Sequence, residues 1–148
     1  MRVEKLYDYN KNILDFIRKD STKYHLELRG KITIIDGDSG TGKTLLSNEL
    51  SSLKESETSL TGVDLSNIIL LKSDKEDIID DKILYIIDRA DMILNDIMCD
   101  KICSCSKARF LIFARGSYNL GVSPNHFGRF QKSLNEVSIV YEFNERWW

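Results

Sequence analysis

The chain of 148 residues contains one proline, two histidines and three cysteines. The cysteines, Cys99, Cys103 and Cys105, crowd into one short stretch with none of the paired C-x-x-C spacing of zinc modules, so they read as reduced thiols on a helix and its end. No stretch approaches the roughly 18 apolar residues of a membrane-spanning helix, and Met1-Arg2-Val3-Glu4-Lys5-Leu6-Tyr7-Asp8 lacks the apolar core of a secretory leader. A cytoplasmic protein with no membrane partner is expected. The formal net charge is only −2, which excludes a global basic field for a nucleic-acid backbone and leaves no clear nucleic-acid signal. Abundant Ile, Lys and Asn beside the single proline fit an AT-rich bacterial or phage genome.

The length suits one domain over 1–148, large enough for a two-sided core, with 1–30 as a helix-and-strand extension and 31–143 as its core. In the extension, Ile13, Leu14, Phe16 and Ile17 fall on a helical period within 9–19, and Tyr24-His25-Leu26-Glu27-Leu28 alternates like a strand. The core carries short continuous apolar runs at 32–35, 67–71, 83–87 and 108–114, closed by a last strand at 137–143. Helical stretches lie between them, notably 90–102 with Ile93, Leu94, Ile97 and Met98 on one side. Continuous apolar strands alternating with helices predict a mainly parallel sheet covered on both faces. The acids of 74–81 read as a solvated helix face, and the serine-rich 51–59 as a surface segment. Residues 115–129 read as a long loop, in which His126 is taken as a polar loop residue and not a catalyst. Trp147 and Trp148 are expected to dock on the domain.

Directly after the first of these runs, Gly37-Asp38-Ser39-Gly40-Thr41-Gly42-Lys43-Thr44 fits G-x-x-x-x-G-K-[ST]. A polyphosphate needs many donors converging on a small space, and backbone N–H groups supply them only where the chain curls tightly, as glycine permits. A helix starting near Lys43 and continuing through Leu45 would aim the positive end of its dipole at the same anion. Lys43 would reach the β- and γ-phosphates, and the Thr44 hydroxyl would ligate Mg²⁺.

In an open α/β sheet ligands gather at the carboxyl ends of the strands. Those positions hold Asp88 after 83–87, Arg115 with Ser117 after 108–114, and Lys72-Ser73-Asp74 after 67–71. Asp88 has the form of an acid that holds a Mg²⁺ water or Thr44, and it also suits a helix cap. The guanine-reading N/T-K-x-D motif is absent after the later strands, so ATP is preferred.

On these residues the chain resembles the additional-strand class of P-loop ATPases, with its AAA+, RecA-like and STAND members, over 31–143. The resemblance implies a three-layer α/β fold whose mainly parallel five-stranded sheet has the order 5-1-4-3-2, and the labels that go with it: Walker A, Walker B, AAA+, hydrolase. It further implies catalytic roles for Lys43, for Asp91 as the acid facing the attacking water, and for Arg115 as a sensor of the γ-phosphate. The class usually places a glutamate directly after the aspartate of that strand; this chain has Arg89. Three functions follow: Mg²⁺-ATP binding with slow or partner-stimulated hydrolysis, in which a protein partner or second copy completes the site; a non-hydrolysing nucleotide-dependent interaction module; or a small-molecule kinase using Arg115 and Arg129.

Overall fold

The structure, a computed structural model, describes residues 4–17, 21–36, 43–55, 63–114, 124–141 and 146–147. Four of the apolar runs form strands, β5 (Ile32–Ile35), β7 (Ile68–Leu71), β8 (Leu84–Ile87) and β9 (Arg109–Phe113). They lie side by side and parallel in the order β5-β9-β8-β7, with Ile35 level with Phe113 and Ile87 level with Ile112. Every residue of β5 and β8 is buried, because both faces of this half are covered. On one face lies α1 (Lys43–Glu55) with Leu46 and Leu50 fully buried; on the other lie the single turn α2 (Ala90–Ile93) and α3 (Asp96–Ser104) with Ala90, Met98 and Ile102.

The rest of the chain extends this sheet instead of covering it. Strands β2 (Tyr7–Asp8), β3 (Ile13–Ile17), β4 (Lys23–Glu27), β10 (Pro124–Ser133) and β11 (Glu136–Tyr141) complete a path β2-β3-β4-β11-β10-β5-β9-β8-β7, and β12 (Arg146–Trp147) pairs with β10. The added half is mostly antiparallel, with β4 and β11 its one parallel contact. Its buried side chains, Leu14, Phe16, Tyr24, Leu26, Phe130 and Val137, join the same cluster as Leu46 and Leu50 of α1. The sheet thus wraps round one core and nearly closes. Its two edges meet where the Asn67 side chain donates to the Tyr7 carbonyl at 2.8 Å, beside a short parallel pairing of β1 (Glu4–Lys5) with β6 (Val63–Asp64).

The five-stranded, three-layer parallel fold expected from the sequence is therefore corrected: nine strands form a mixed, nearly closed sheet, with two helices longer than one turn among the described residues. The last apolar run, expected beside the 32–35 strand, is instead the hairpin partner of β10, which stands between them. The stretch expected as a loop to residue 129 contains the first part of that ten-residue strand. The helix expected over 9–19 is the strand β3, since Leu14 and Phe16 alternate inward while Asp15 and Ile17 stay exposed, and an apolar run this short satisfies both periods. The helix expected over 90–102 breaks at Leu94, which is extended, because Asn95 caps α3 by accepting the Met98 amide at 2.9 Å.

Gly128 is where β10 changes partner. Its residues 126–128 pair with β5 and 128–133 with β11, so only Gly128 is paired on both sides. A Cβ there would lie 2.7 Å from the Ile139 side chain and 3.0 Å from the Val140 carbonyl oxygen. Gly128→Ala is expected to destabilise the fold by about 1–3 kcal/mol through overpacking. Denaturant unfolding measures this, and an unchanged midpoint would refute the close approach as a constraint.

Candidate functional site

Because β5, β9, β8 and β7 are parallel, the residues following them, Asp36, Ala114, Asp88 and Lys72, share one edge of the sheet. The chain leaves β5 at that edge, passes through the segment carrying the G-x-x-x-x-G-K-T pattern, and begins α1 at Lys43. Residues Gly37, Asp38, Ser39, Gly40, Thr41 and Gly42 lie outside the described residues, as does Arg115. Lys43, Thr44 and Leu45 occupy the first turn of α1 and Asp91 lies in α2, with their side chains outside the described set. The structure thus fixes where the backbone enters and leaves the glycine-rich segment.

Asp88 is half-buried two strands from β5, roughly 10 Å away across the sheet. Its Oδ1 accepts the Arg89 amide at 2.9 Å, and its other oxygen has no partner among the described residues. Arg89 itself is exposed and left-handed, at φ 54° and ψ 51°, a conformation that costs a residue with a Cβ about 1–2 kcal/mol. The described residues hold no cluster of three metal-ligating side chains. Mg²⁺ does not require one, since it keeps several waters and is held through one or two protein oxygens plus phosphate. Asp88, with an unspent oxygen at the edge where the glycine-rich segment departs, fits that requirement.

The β9 strand stands between β5 and β8, so the acid-bearing strand is not beside the strand that feeds the glycine-rich segment, the arrangement that would favour the kinase reading. Arg129, which that reading used, is exposed on β10. His126 is not a loop residue but a half-buried member of β10, level with Thr33. The sequence reading missed the polar side of α1. Ser47 and Ser51 lie one turn apart beside the buried Leu46 and Leu50, and the Lys72 ammonium donates to Ser51 Oγ at 2.7 Å, tying the end of β7 to the helix. The i, i+4 serine spacing was the available signal.

The chain matches no protein-family model, no curated protein and no solved structure. With the mixed, nearly closed sheet, this overturns the resemblance to additional-strand P-loop ATPases, and the Walker, AAA+ and hydrolase labels it carried are withdrawn. No helix among the described residues is long and apolar enough to cross a membrane. The three cysteines are reduced thiols, and burial pushes the Cys105 thiol above its usual value.

The acidic segment 74–81 is not a helix face. Asp80 folds back onto the start of β9, where its carboxylate accepts the amides of Ser106, Lys107 and Ala108 at 2.7–3.1 Å. These donors favour the charged form and hold its carboxyl well below the usual carboxylate range. A depressed native value means the stabilisation is present above the unfolded-state value and is lost as pH falls through the native one. Wild type should therefore exceed Asp80→Asn in stability at neutral pH, and the gap should close as the medium is acidified below the ordinary aspartate range. Paired acid-unfolding curves read this directly; a gap independent of pH would remove the ionised carboxylate as its cause.

Proposed function

We propose that the chain binds Mg²⁺-ATP at residues 37–45 together with Asp88, a site built on this mixed sheet and not by membership of the P-loop ATPase class. The observation that carries the reading is the shared edge. A parallel strand delivers the glycine-rich segment there, a helix opens at Lys43 immediately after it, and Asp88 ends a second parallel strand at the same level. Backbone amides and the positive end of α1 favour a polyphosphate at such a turn, with Lys43 neutralising charge and Thr44 and Asp88 sharing the metal. Bound Mg²⁺ would supply charge neutralisation on the phosphate oxygens.

Turnover on this reading is slow or stimulated by a protein partner or second copy that completes the site, with Asp91 orienting water and Arg115 stabilising charge. No second acid directly follows Asp88, where Arg89 stands exposed, which favours the second reading, a nucleotide-dependent module that holds ATP without hydrolysing it. A cytoplasmic location accords with both, since ATP and Mg²⁺ are abundant there and the cysteines are reduced.

Calorimetric titration with Mg²⁺-ATP should give a single site, weakened about 10- to 100-fold by Lys43→Ala, the loss of a charge-assisted contact. Asp91→Ala should leave that affinity unchanged and slow single-turnover hydrolysis. Lys43→Ala binding ATP as tightly as wild type would end the proposal, and ATP that persists intact for hours on wild type would decide for the module over the enzyme.

A further inference from the structure

Between α1 and the ends of β7 and β8 lies a cavity of about 210 Å³ that shares only Asp88 with the nucleotide reading. Its floor is apolar, made by Leu70, Leu71, Ile86 and Ile93, and its charged groups are Lys72, Arg89 and Asp88. On the helix side stand Ser47, Asn48 and Ser51. Ser47 Oγ is buried with no hydrogen-bond partner among the described residues, which costs about 1–3 kcal/mol unless something in the cavity satisfies it. Arg89 reaches the same cavity from a left-handed backbone position. Strain of that kind concentrates at ligand sites.

The charges and the volume narrow the ligand. Two cations against one carboxylate leave a net charge of +1, which suits a monoanion and disfavours a dianion such as a phosphate monoester beside Asp88. The volume is below the roughly 300–1,000 Å³ that drug-sized ligands occupy. Four aliphatic side chains on the floor call for an apolar body. The geometry points to a second ligand site that takes a short-chain carboxylic acid, its carboxylate held between Lys72 and Arg89, its alkyl body on the apolar floor, and Ser47 donating into the cavity. Lys72 is already oriented by Ser51, which lowers the ordering cost of pairing with an incoming anion.

This inference does not rest on nucleotide binding, and its test omits nucleotide. Titrating hexanoate into the folded wild-type chain and following amide shifts by NMR should give saturable changes centred on Ser47, Asn48 and Ile86. Hexan-1-ol, which has the same body without the charge, should bind at least about tenfold more weakly. Lys72→Gln and Arg89→Gln should each weaken hexanoate by about tenfold; both side chains are exposed, so the fold should be retained, as circular dichroism checks. Equal affinity for hexan-1-ol, unchanged hexanoate affinity in both folded variants, or absence of saturable hexanoate binding to wild type would each overturn the proposal. The alcohol comparison uses wild type alone and stands whatever the variants do.

Discussion

Strand β10 is shared by two half-sheets of different character, and the rest of the architecture depends on that sharing. Its first part belongs to a parallel array buried on both faces, its second part to an antiparallel hairpin, and Gly128 alone belongs to both. A glycine at the one residue shared by both pairings lets the two halves of the sheet approach closely and take different twists, so the antiparallel half can follow the core. With a side chain at Gly128 the hairpin would be displaced from Ile139 and Val140. Displacement would open the cluster where Phe130 meets Phe113 and Tyr24. The parallel half fixes the candidate site, but its burial on the α1 face needs the curl that β10 begins.

Closing a sheet on itself brings backbone polar groups of two edges together in a largely apolar setting, where each unpaired group is costly. Here the backbone pairing of β1 with β6 is supplemented by side chains. Buried Tyr7 donates to Asn12 Oδ1 at 2.6 Å, Asn12 donates to the Gly30 carbonyl at 3.0 Å, and Asn67 reaches the Tyr7 carbonyl from the opposite edge. Burial pushes the Tyr7 hydroxyl up to about 12, so it stays a neutral donor across the ordinary pH range. Arg109 adds a second clasp, donating to the Tyr9 carbonyl at 2.7 Å with its guanidinium 4.1 Å from the Tyr9 ring centre. Both clasps join residues far apart in the chain, so closure is expected late in folding, after the local hairpins have formed.

The strands of the parallel half are legible in the sequence because two-sided burial demands continuous apolar runs, and Ile32, Leu84 and Phe110 sit in such runs. What cannot be read is closure. Residues 13–17 carry an apolar set that serves a helix or a strand equally, and only the partners Leu26 and Tyr24 decide between them. Treating that segment as a helix removed one strand from the count and made an open sheet look sufficient. The G-x-x-x-x-G-K-T pattern then supplied a family that fitted the open sheet, and the same strands in a closed mixed sheet belong to a different architecture. The position of Asp88 at the end of a parallel strand was legible from the apolar run before it. The serine face of α1 was not, because leucine spacing announces a helix while its polar side gains meaning only from what packs opposite.

Asp88 belongs to both candidate ligand sets, and that shared membership has a physical consequence. One oxygen is spent on the Arg89 amide, which fixes the carboxylate against a strained residue whose own side chain lines the cavity. A divalent cation drawn to Asp88 would cancel the one negative charge among the cavity's ionised groups and strengthen its pull on an anion. By linkage the anion would strengthen the cation's hold by the same factor. A left-handed arginine between the two sites makes a poor helix start and a good lever. Its backbone is tied to Asp88, the acid proposed to face the metal, and the residue itself lines the neighbouring cavity. If both proposals hold, the strain at Arg89 is the local cost of keeping one side chain in each of two adjoining sites.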